Sequence, residues 1–214
     1  MIWLAQLCKI EKPQVRDYRD ARKLFCLPLI PQFDEKIMDD DLKKCIEEFW
    51  LQVAHQIVGL ERTGMVTQVF VESITKDGKS GLDMVKQLSQ QLYGIVKEKI
   101  DRGAELVVVE SEEILAEFLD WAVCLSVIRK SPKVFSKVLE FQQDVGDRRN
   151  KEIARRIGDS LKKCDSGLLV MTDESRLQIQ SNLPSDIEVF LIHPPAFNDI
   201  MRGFREYLKK QSQT

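Results

Sequence analysis

Histidine is scarce in this chain, whose 214 residues include only His55 and His193. Two histidines exclude a histidine-rich metal site, and the five cysteines form no CxxC pair or other Cys/His metal spacing. The chain also lacks the GxGxxG, GxxxxGK, GxSxG and HExxH motifs. Its ten glycines do not cluster at the predicted strand ends. The sequence therefore predicts no glycine-rich phosphate cradle, and none of its motifs specifies a cofactor or a set of metal ligands.

Long apolar runs and an excess of charge of one sign are also missing. No apolar run approaches the roughly 18 residues of a membrane span, and the first residues lack the basic segment and apolar core of a signal peptide. The net charge of −2 gives no general attraction to nucleic acid or to an anionic membrane. The odd number of cysteines, most of them among apolar residues, indicates reduced and mostly buried thiols. We therefore expect a cytoplasmic protein without membrane or nucleic-acid partners.

The remaining composition is that of a globular protein, with 43% hydrophobic and 31% charged residues. Apolar segments typical of strands alternate with segments that repeat at helical spacing, and no tight hairpin pattern occurs between them. This alternation predicts an α/β fold: a three-layer, mostly parallel sheet of about five strands with helices on both faces. The predicted strands are residues 23–30, 66–74, 106–109, 167–171 and 187–192.

The segment Gly103–Asp120 contains a helix end, a strand, an N-cap and a new helix within a few residues. Leu106–Val109 is an unbroken apolar run, which is typical of a strand buried on both faces. Gly103 suits the end of the preceding helix, predicted as one helix over Leu82–Arg102. Ser111 suits the N-cap of the next helix. We therefore predict that this strand belongs to a parallel sheet and is buried on both faces under helices.

Consecutive helical patterns fill residues 111–163, and Gly146 suits a bend or break among them. We predict a single α/β domain over residues 1–214, with residues 111–163 as a helical insertion or subdomain. Long helices rich in apolar residues also suggest association of copies, with Trp50, Trp121 and Phe141 partly at the interface.

Acidic and hydroxyl residues stand at the ends of the predicted strands. The repeated sequences VFVES and VVVES place Glu72 and Glu110 at equivalent strand ends. Ligands of open parallel sheets bind beyond the carboxyl ends of the strands. We therefore predict Glu72, Glu110 and His193 as catalytic residues of this rim. The predicted ligand-binding residues of the rim are Ser73, Ser111, Thr172 and Asp173.

These rim residues allow two interpretations. Converging carboxylates raise one another's pKa, which suits proton transfer, and with Asp173, Glu174 and His193 they can bind a divalent cation. Alternatively, acidic and hydroxyl side chains at strand ends only cap the following helix or meet solvent. His193, held before two prolines, is then a capping or packing residue.

A basic segment runs from Arg148 to Lys163. Arg148 and Arg149 can hold a phosphate or carboxylate in a bidentate fork, so both are predicted ligand-binding residues. Acidic residues are interleaved with the basic ones and no aromatic platform accompanies them. The pattern favours a solvated, salt-bridged helix over a nucleic-acid interface.

Residues 147–170 carry a charged DRRN segment, then Ile153-Ala154, Ile157 and Leu161, and finally the strand GLLV. With the later stretch LPSDIEVFLIHPPAF, this pattern resembles uncharacterised prokaryotic α/β proteins and is remotely similar to the TraB/ChaN/Tiki-like group. In that group the strand leads to a Gly-x-x-His element linked to metal-dependent or haem-related chemistry. Met171-Thr172-Asp173-Glu174 stands in its place here. The resemblance therefore implies the fold of this segment and no catalytic residue.

Two hypotheses about function follow, besides the disfavoured third one of nucleic-acid binding through the helix 148–163. The first is a ligand-binding or protein-interaction module that acts as a homo-oligomer, which the missing catalytic motifs favour. The alternative is a metal-dependent, hydrolase-like enzyme with an acidic site at the carboxyl ends of the strands.

Overall fold

The computed structural model describes Tyr18, residues 20–33 and residues 38–211. Within these ranges, five parallel strands and seven helices form a three-layer α/β fold, which confirms the predicted fold class. The strands are β1 (Arg22–Pro28), β2 (Gln68–Val71), β3 (Glu105–Leu106), β4 (Ser166–Met171) and β5 (Ile187–Leu191). The helices are α1 (Asp40–Leu60), α2 (Gly78–Leu88), α3 (Gln90–Asp101), α4 (Glu112–Val127), α5 (Pro132–Ser160), α6 (Asp173–Gln180) and α7 (Pro195–Gln211).

The sheet has the strand order β3-β2-β4-β1-β5. Strands β1 and β4 pair along their length, from Lys23 opposite Ser166 to Pro28 opposite Met171. Pro28 is the last residue of β1, where its missing N–H removes no central ladder bond. Val71, the last residue of β2, stands opposite Val170. The strands β2 and β4 therefore end side by side, and the residues after them share one rim of the sheet.

Successive side chains of the strands enter two separate apolar layers. Phe25 of β1 packs in the layer built with α1, α2, α3 and α7, whereas its neighbour Leu24 packs in the layer built with α5 and α6. In β4, Leu168 and Leu169 divide in the same way. Because a strand alternates its side chains between faces, a continuous apolar run serves both layers.

The connections explain this distribution of helices. Passing from β1 to β2 and on to β3, the chain moves toward one edge of the sheet, and it returns through β4 to β5. Crossovers of one hand require opposite faces for the two directions of travel. Accordingly, α1 to α3 cover one face, and α5 and α6 cover the other.

The extent predicted for the third strand, residues 106–109, is wrong, because β3 is only Glu105–Leu106. Glu105 and Leu106 pair with Gln68 and Val69, and β3 is an edge strand of the sheet. Beyond the ladder, Val107 donates one backbone hydrogen bond to Val69, and the chain then turns toward α4. The segment stays apolar because helices cover it, and apolarity alone does not distinguish an edge strand from an internal one.

Two predicted helix boundaries also differ from the structure. The segment 82–102 contains two helices, because Ser89 adopts an extended backbone that ends α2, and its side chain caps α3 through the Leu92 N–H at 3.2 Å. In contrast, Gly146 neither breaks nor ends α5, which is continuous over 29 residues. The ring of Phe118 on α4 approaches α5 at Gly146, where a methyl group would make an ordinary van der Waals contact with it at 3.5 Å.

The prediction of mostly buried thiols is wrong for the described cysteines. Cys26 is buried, but Cys45 is half-buried, and Cys124 and Cys164 are exposed; all four are free thiols. Burial raises the pKa of the Cys26 thiol to about 12. Cys8 lies outside the described residues. Within those residues, no helix combines the length and apolar character needed to cross a membrane.

Two helical glycines test how α2 packs on the sheet. A methyl group on Gly81 would lie 2.2 Å from the backbone oxygen of Lys76 and 2.9 Å from Leu106. A methyl group on Gly94 would meet no atom within 4 Å. We expect Gly81→Ala to lower the free energy of unfolding by more than about 1 kcal/mol through overpacking. Gly94→Ala should raise it by about 0.5–1 kcal/mol, because alanine favours helices.

Urea unfolding of the two variants beside the wild type measures both values. An equal stabilisation by both substitutions would show that α2 does not lie against Lys76 and β3 as described.

Candidate functional site

A buried ion cluster occupies the rim where β2 and β3 end. Arg149 of α5 donates from Nε to Glu110 Oε2 at 3.0 Å, and its Nη2 bonds both Glu110 Oε1 and, at 3.1 Å, Glu72 Oε1. The exposed fractions are 2% for Glu110, 4% for Arg149 and 6% for Glu72. One guanidinium is thus shared by two carboxylates that lie almost entirely out of water.

Arg149 points inward because it belongs to the buried stripe of α5. The stripe contains Val145, Arg149, Ile153 and Ile157, each four residues from the next. Asn150 and Ala154 form a second buried row beside it. Arg148, one position away, is half exposed and pairs with Glu117 at 2.6 Å. The helical period therefore places neighbouring arginines in opposite surroundings.

Backbone N–H groups also donate hydrogen bonds to both carboxylates. The N–H of Thr172, immediately after β4, donates to Glu72 Oε2 at 2.6 Å, and the N–H of Ser73 donates to Glu110 Oε1 at 2.9 Å. Ser73 has a φ of 66°, a left-handed conformation that costs a residue other than glycine about 1–2 kcal/mol. The cluster therefore ties the ends of β2, β3 and β4 to α5 and holds a strained turn.

The charges of the cluster do not cancel by themselves. Two carboxylates face one guanidinium, so the three groups carry a formal charge of −1. Burial lowers the pKa of Arg149, but the hydrogen bonds and charges of Glu110 and then Glu72 outweigh it and raise that pKa above its ordinary value. Arg156 also donates from Nη1 to the backbone oxygen of Glu110 at 2.9 Å. Glu152 holds Arg156 in place at 2.7 Å.

Glu152 is itself strongly stabilised as a carboxylate. Hydrogen bonds from Arg155 and then from Arg156 lower the pKa of Glu152 to about 2. Arg155 further pairs with Asp159 at 2.6 Å. These ion pairs confirm the predicted salt-bridged surface of this helix, whereas its extension to Arg149 is wrong, because Arg149 is buried in the ion cluster.

The ion cluster forms part of the wall of an open cleft of about 420 Å³ between α5 and α6, with Phe118 of α4 on one side. We refer to this space, which has Arg149 and Asn150 at its base, as the Arg149 cleft. Its lining is rich in amide and hydroxyl side chains. They are Gln142, Gln143, Asn150, Thr172, Ser175 and Gln178.

Asn150 leaves one hydrogen-bonding atom unused at the base of the Arg149 cleft. It is 4% exposed, and its Nδ2 donates to Gln178 Oε1 across the cleft. Its Oδ1 is buried and has no hydrogen-bond partner among the described residues. The hydrogen bonds that Arg149 makes with those residues use Nε and Nη2 and leave Nη1 unengaged. Buried polar atoms are normally satisfied, so the Oδ1 of Asn150 is the atom that a ligand would complete, and Arg149 Nη1 is free to donate to the same ligand.

The structure brings together only part of the predicted site. Glu72, Glu110, Arg149 and Thr172 share hydrogen bonds, and Ser73 joins them through its backbone. The other predicted residues lie apart from this group. Ser111 caps α4 at Ile114, Asp173 pairs with Arg176 at 2.6 Å, and Arg148 pairs with Glu117.

His193 lies near the opposite edge of the sheet, beyond the carboxyl end of the edge strand β5. It follows β5, three strands away from β2, and its exposed ring contacts Phe197 with centroids 5.2 Å apart. Throughout the described ranges, no group of three or more His, Cys, Asp or Glu side chains is arranged to hold a metal ion. The catalytic and ligand-binding roles assigned from the sequence stay predictions.

Sequence reasoning missed Asn150, Gln178 and Phe118 as parts of the site. Asn150 stands four residues before Ala154 on the apolar side of α5, and a polar residue in such a row indicates a buried hydrogen bond. Gln178 and Phe118 carry no comparable pattern, because only the approach of α4 and α6 to α5 makes them neighbours of Arg149.

No known protein family matches this chain, and neither a curated protein nor a solved structure matches it. The resemblance to the TraB/ChaN/Tiki-like group therefore stays a prediction.

Removing the shared guanidinium should be far more damaging than removing its exposed neighbour. In Arg149→Met, two buried carboxylates lose their counter-ion, and we expect the free energy of unfolding to fall by about 3–5 kcal/mol. In Arg148→Met only an exposed ion pair with Glu117 is lost, and the free energy of unfolding should change by less than about 1 kcal/mol. Urea unfolding at pH 7 measures both.

If the free energy of unfolding fell by similar amounts in the two variants, the burial of Arg149 between Glu72 and Glu110 would be contradicted. Retention of the native circular dichroism spectrum at low urea concentration is the check that each variant folds before unfolding is measured.

Proposed function

We propose that this protein binds a small polar ligand in the Arg149 cleft. The observation that carries the proposal is the buried, unpartnered Oδ1 of Asn150, which lies beside an arginine whose Nη1 is unengaged among the described residues. A buried polar atom without a partner costs about 1–3 kcal/mol. A ligand that hydrogen-bonds both groups would recover that cost on binding.

The ion cluster supports binding better than it supports stability. Desolvation of buried charges offsets most of their attraction, so apolar residues of similar volume often stabilise a protein equally well. What a shared arginine does provide is a fixed orientation. Because Glu72 and Glu110 hold Nε and Nη2 of Arg149, the side chain loses little conformational freedom when a ligand accepts a hydrogen bond from Nη1.

Asn150→Leu is expected to abolish binding without lowering stability. Leucine places no polar atom at the base of the Arg149 cleft, so the free energy of unfolding of the ligand-free protein should stay unchanged or rise by about 1 kcal/mol. Binding is measured by saturation-transfer NMR with acetamide, glucose, methylammonium, acetate and inorganic phosphate as probes. At least one of them should bind the wild type and not the variant.

The matched control is Asn198→Leu on the exposed side of α7, which should leave probe binding unchanged. If no probe binds the wild type and Asn150→Leu lowers the free energy of unfolding by more than about 2 kcal/mol, Asn150 is a structural residue. That result would overturn the proposal.

The metal-dependent hydrolase predicted as the alternative is distinguished by thermal unfolding with Mg²⁺, Mn²⁺ or Zn²⁺. A metal that binds only the folded state raises the midpoint of unfolding. A rise seen in the wild type and lost in Glu72→Gln would favour the acidic rim as a metal site over a site for an uncharged or organic ligand.

The proposed assembly is a homodimer formed through the hairpin of α4 and α5. From Ala116 to Asp144 no residue is buried, although several are large and apolar. On α4, Leu119, Val123 and Val127 stand four residues apart and are 52%, 62% and 67% exposed. Such a stripe on one helix face is the pattern that packs against another helix.

A second copy of the chain fits this surface. The stripe contains no charged residue, and the helix of 16 residues is about 24 Å long, enough for a helix pair of a four-helix bundle. Trp121 and Phe141 stack at 5.0 Å and brace the hairpin, and their position at the interface between copies is part of this proposal. Trp50 is instead buried beside Phe49 in the core, so its predicted interfacial role is wrong.

Charges placed in the stripe should separate the copies. We expect the wild type to sediment at twice the monomer mass and Leu119→Glu combined with Val123→Glu to sediment as a monomer. The control is Leu51→Glu with Val58→Glu, at the exposed positions of α1, which should remain dimeric. Analytical ultracentrifugation measures all three, and a monomeric wild type at micromolar concentration would overturn the dimer.

A further inference from the structure

We propose that the Arg149 cleft takes a polyhydroxylated ligand without negative charge, that is, a neutral sugar or an amino sugar. The inference rests on the proposed function, because it assumes that the cleft binds a ligand, and it adds the chemical class of that ligand. The charge of the lining, the unused hydrogen-bonding atoms and the composition of the walls support it.

The lining repels anions. Three acidic side chains, Glu72, Asp147 and Glu174, face one basic side chain, Arg149, which gives a formal charge of −2. Asp147 and Glu174 are exposed on opposite walls, and neither forms an ion pair with a described residue. A phosphate or carboxylate that reached Arg149 would also lie beside Glu72 and close to Glu110. An anion held this close to a carboxylate is strongly repelled in a partly desolvated site.

A hydroxyl group suits the base of the cleft because it both donates and accepts. Arg149 Nη1 can only donate. The amides of Asn150 and Gln178 are joined by one hydrogen bond, and turning both amides over exchanges donor for acceptor. In either arrangement one buried atom of Asn150 lacks a partner. Neighbouring hydroxyls on one ligand satisfy Arg149 and Asn150 together in both cases.

The walls suit a ligand with hydroxyls on its edge and an apolar face. Gln142, Gln143 and Gln178 present amides that can bind several hydroxyls, and Phe118, whose ring centroid lies 5.3 Å from the guanidinium carbon of Arg149, adds an aromatic side chain to the lining. The volume of about 420 Å³ lies within the usual range of about 300–1,000 Å³ for small-molecule sites. These features together describe a site for one or two sugar rings.

Four probes with one carbon skeleton test the inference: glucose, glucosamine, gluconate and glucose 6-phosphate. Dissociation constants are measured by saturation-transfer NMR titration of the full chain at pH 7. We expect glucose or glucosamine to bind, and both anions to bind at least roughly tenfold more weakly. Binding should be absent in Asn150→Leu.

Neutralising the two exposed acidic side chains of the Arg149 cleft, Asp147 and Glu174, should reduce the preference of the cleft for neutral sugars over anions. In Asp147→Asn combined with Glu174→Gln, both at exposed positions, we expect the ratio of the affinity for each anion to the affinity for glucose to rise roughly tenfold. The control is Glu47→Gln combined with Glu188→Gln. These exposed charges on α1 and β5 are outside the cleft lining, and their removal should leave the ratio of anion affinity to glucose affinity unchanged.

Equal or tighter binding of the anions by the wild type would overturn the sugar assignment and leave the cleft as a ligand site. Failure of all four probes would also overturn it. In that case, binding of acetamide, methylammonium, acetate or phosphate that disappears in Asn150→Leu would still uphold the proposed function.

Discussion

The bonds of Arg149 with Glu72 and Glu110 are the interaction on which the rim of this sheet depends. Each carboxylate follows a different strand, and the arginine comes from a helix of the opposite connection, so one guanidinium joins segments that are distant in the chain. Because ions removed from water must be satisfied by partners at fixed distances, the position of each group limits the others. The N–H of Thr172 extends this constraint to the end of β4. The shape of the Arg149 cleft follows from these few bonds.

Three departures from local structural rules lie in or beside this cluster, and others lie elsewhere in the described residues, such as the left-handed backbone of Cys164. Ser73 has a left-handed backbone, Arg149 brings a charge into an otherwise apolar row, and Asn150 has a buried atom without a partner in the described residues. The two apolar layers nearby show ordinary alternation of side chains on both faces of the sheet. Sites that break local rules inside a regular fold are where function most often requires the exception.

Helix α5 connects the two surfaces to which we assign a role. Its second half packs on the sheet through Ile153 and Ile157, and its first half leaves the sheet and pairs with α4. Gly146 lies between these halves, where Phe118 approaches the helix and lines the cleft. A movement of the hairpin would therefore act on Phe118 and on the wall that carries Gln142 and Gln143. Association through the hairpin and ligand binding in the cleft would share this helix.

The sequence by itself determined the layers, the parallel sheet and the position of Glu72 directly after β2, whereas Glu110 follows the end of β3 by four residues. Each of these properties is local, because apolar periodicity and strand ends are written in consecutive residues. It did not determine that β3 lies at an edge, since an apolar run is compatible with either position. Nor did it separate Arg148 from Arg149, although their spacing to Ile153 carried that information. Only the tertiary structure decided which carboxylates share the arginine, placed His193 three strands away and brought Gln178 to Asn150, because those contacts depend on how helices pack across a sheet.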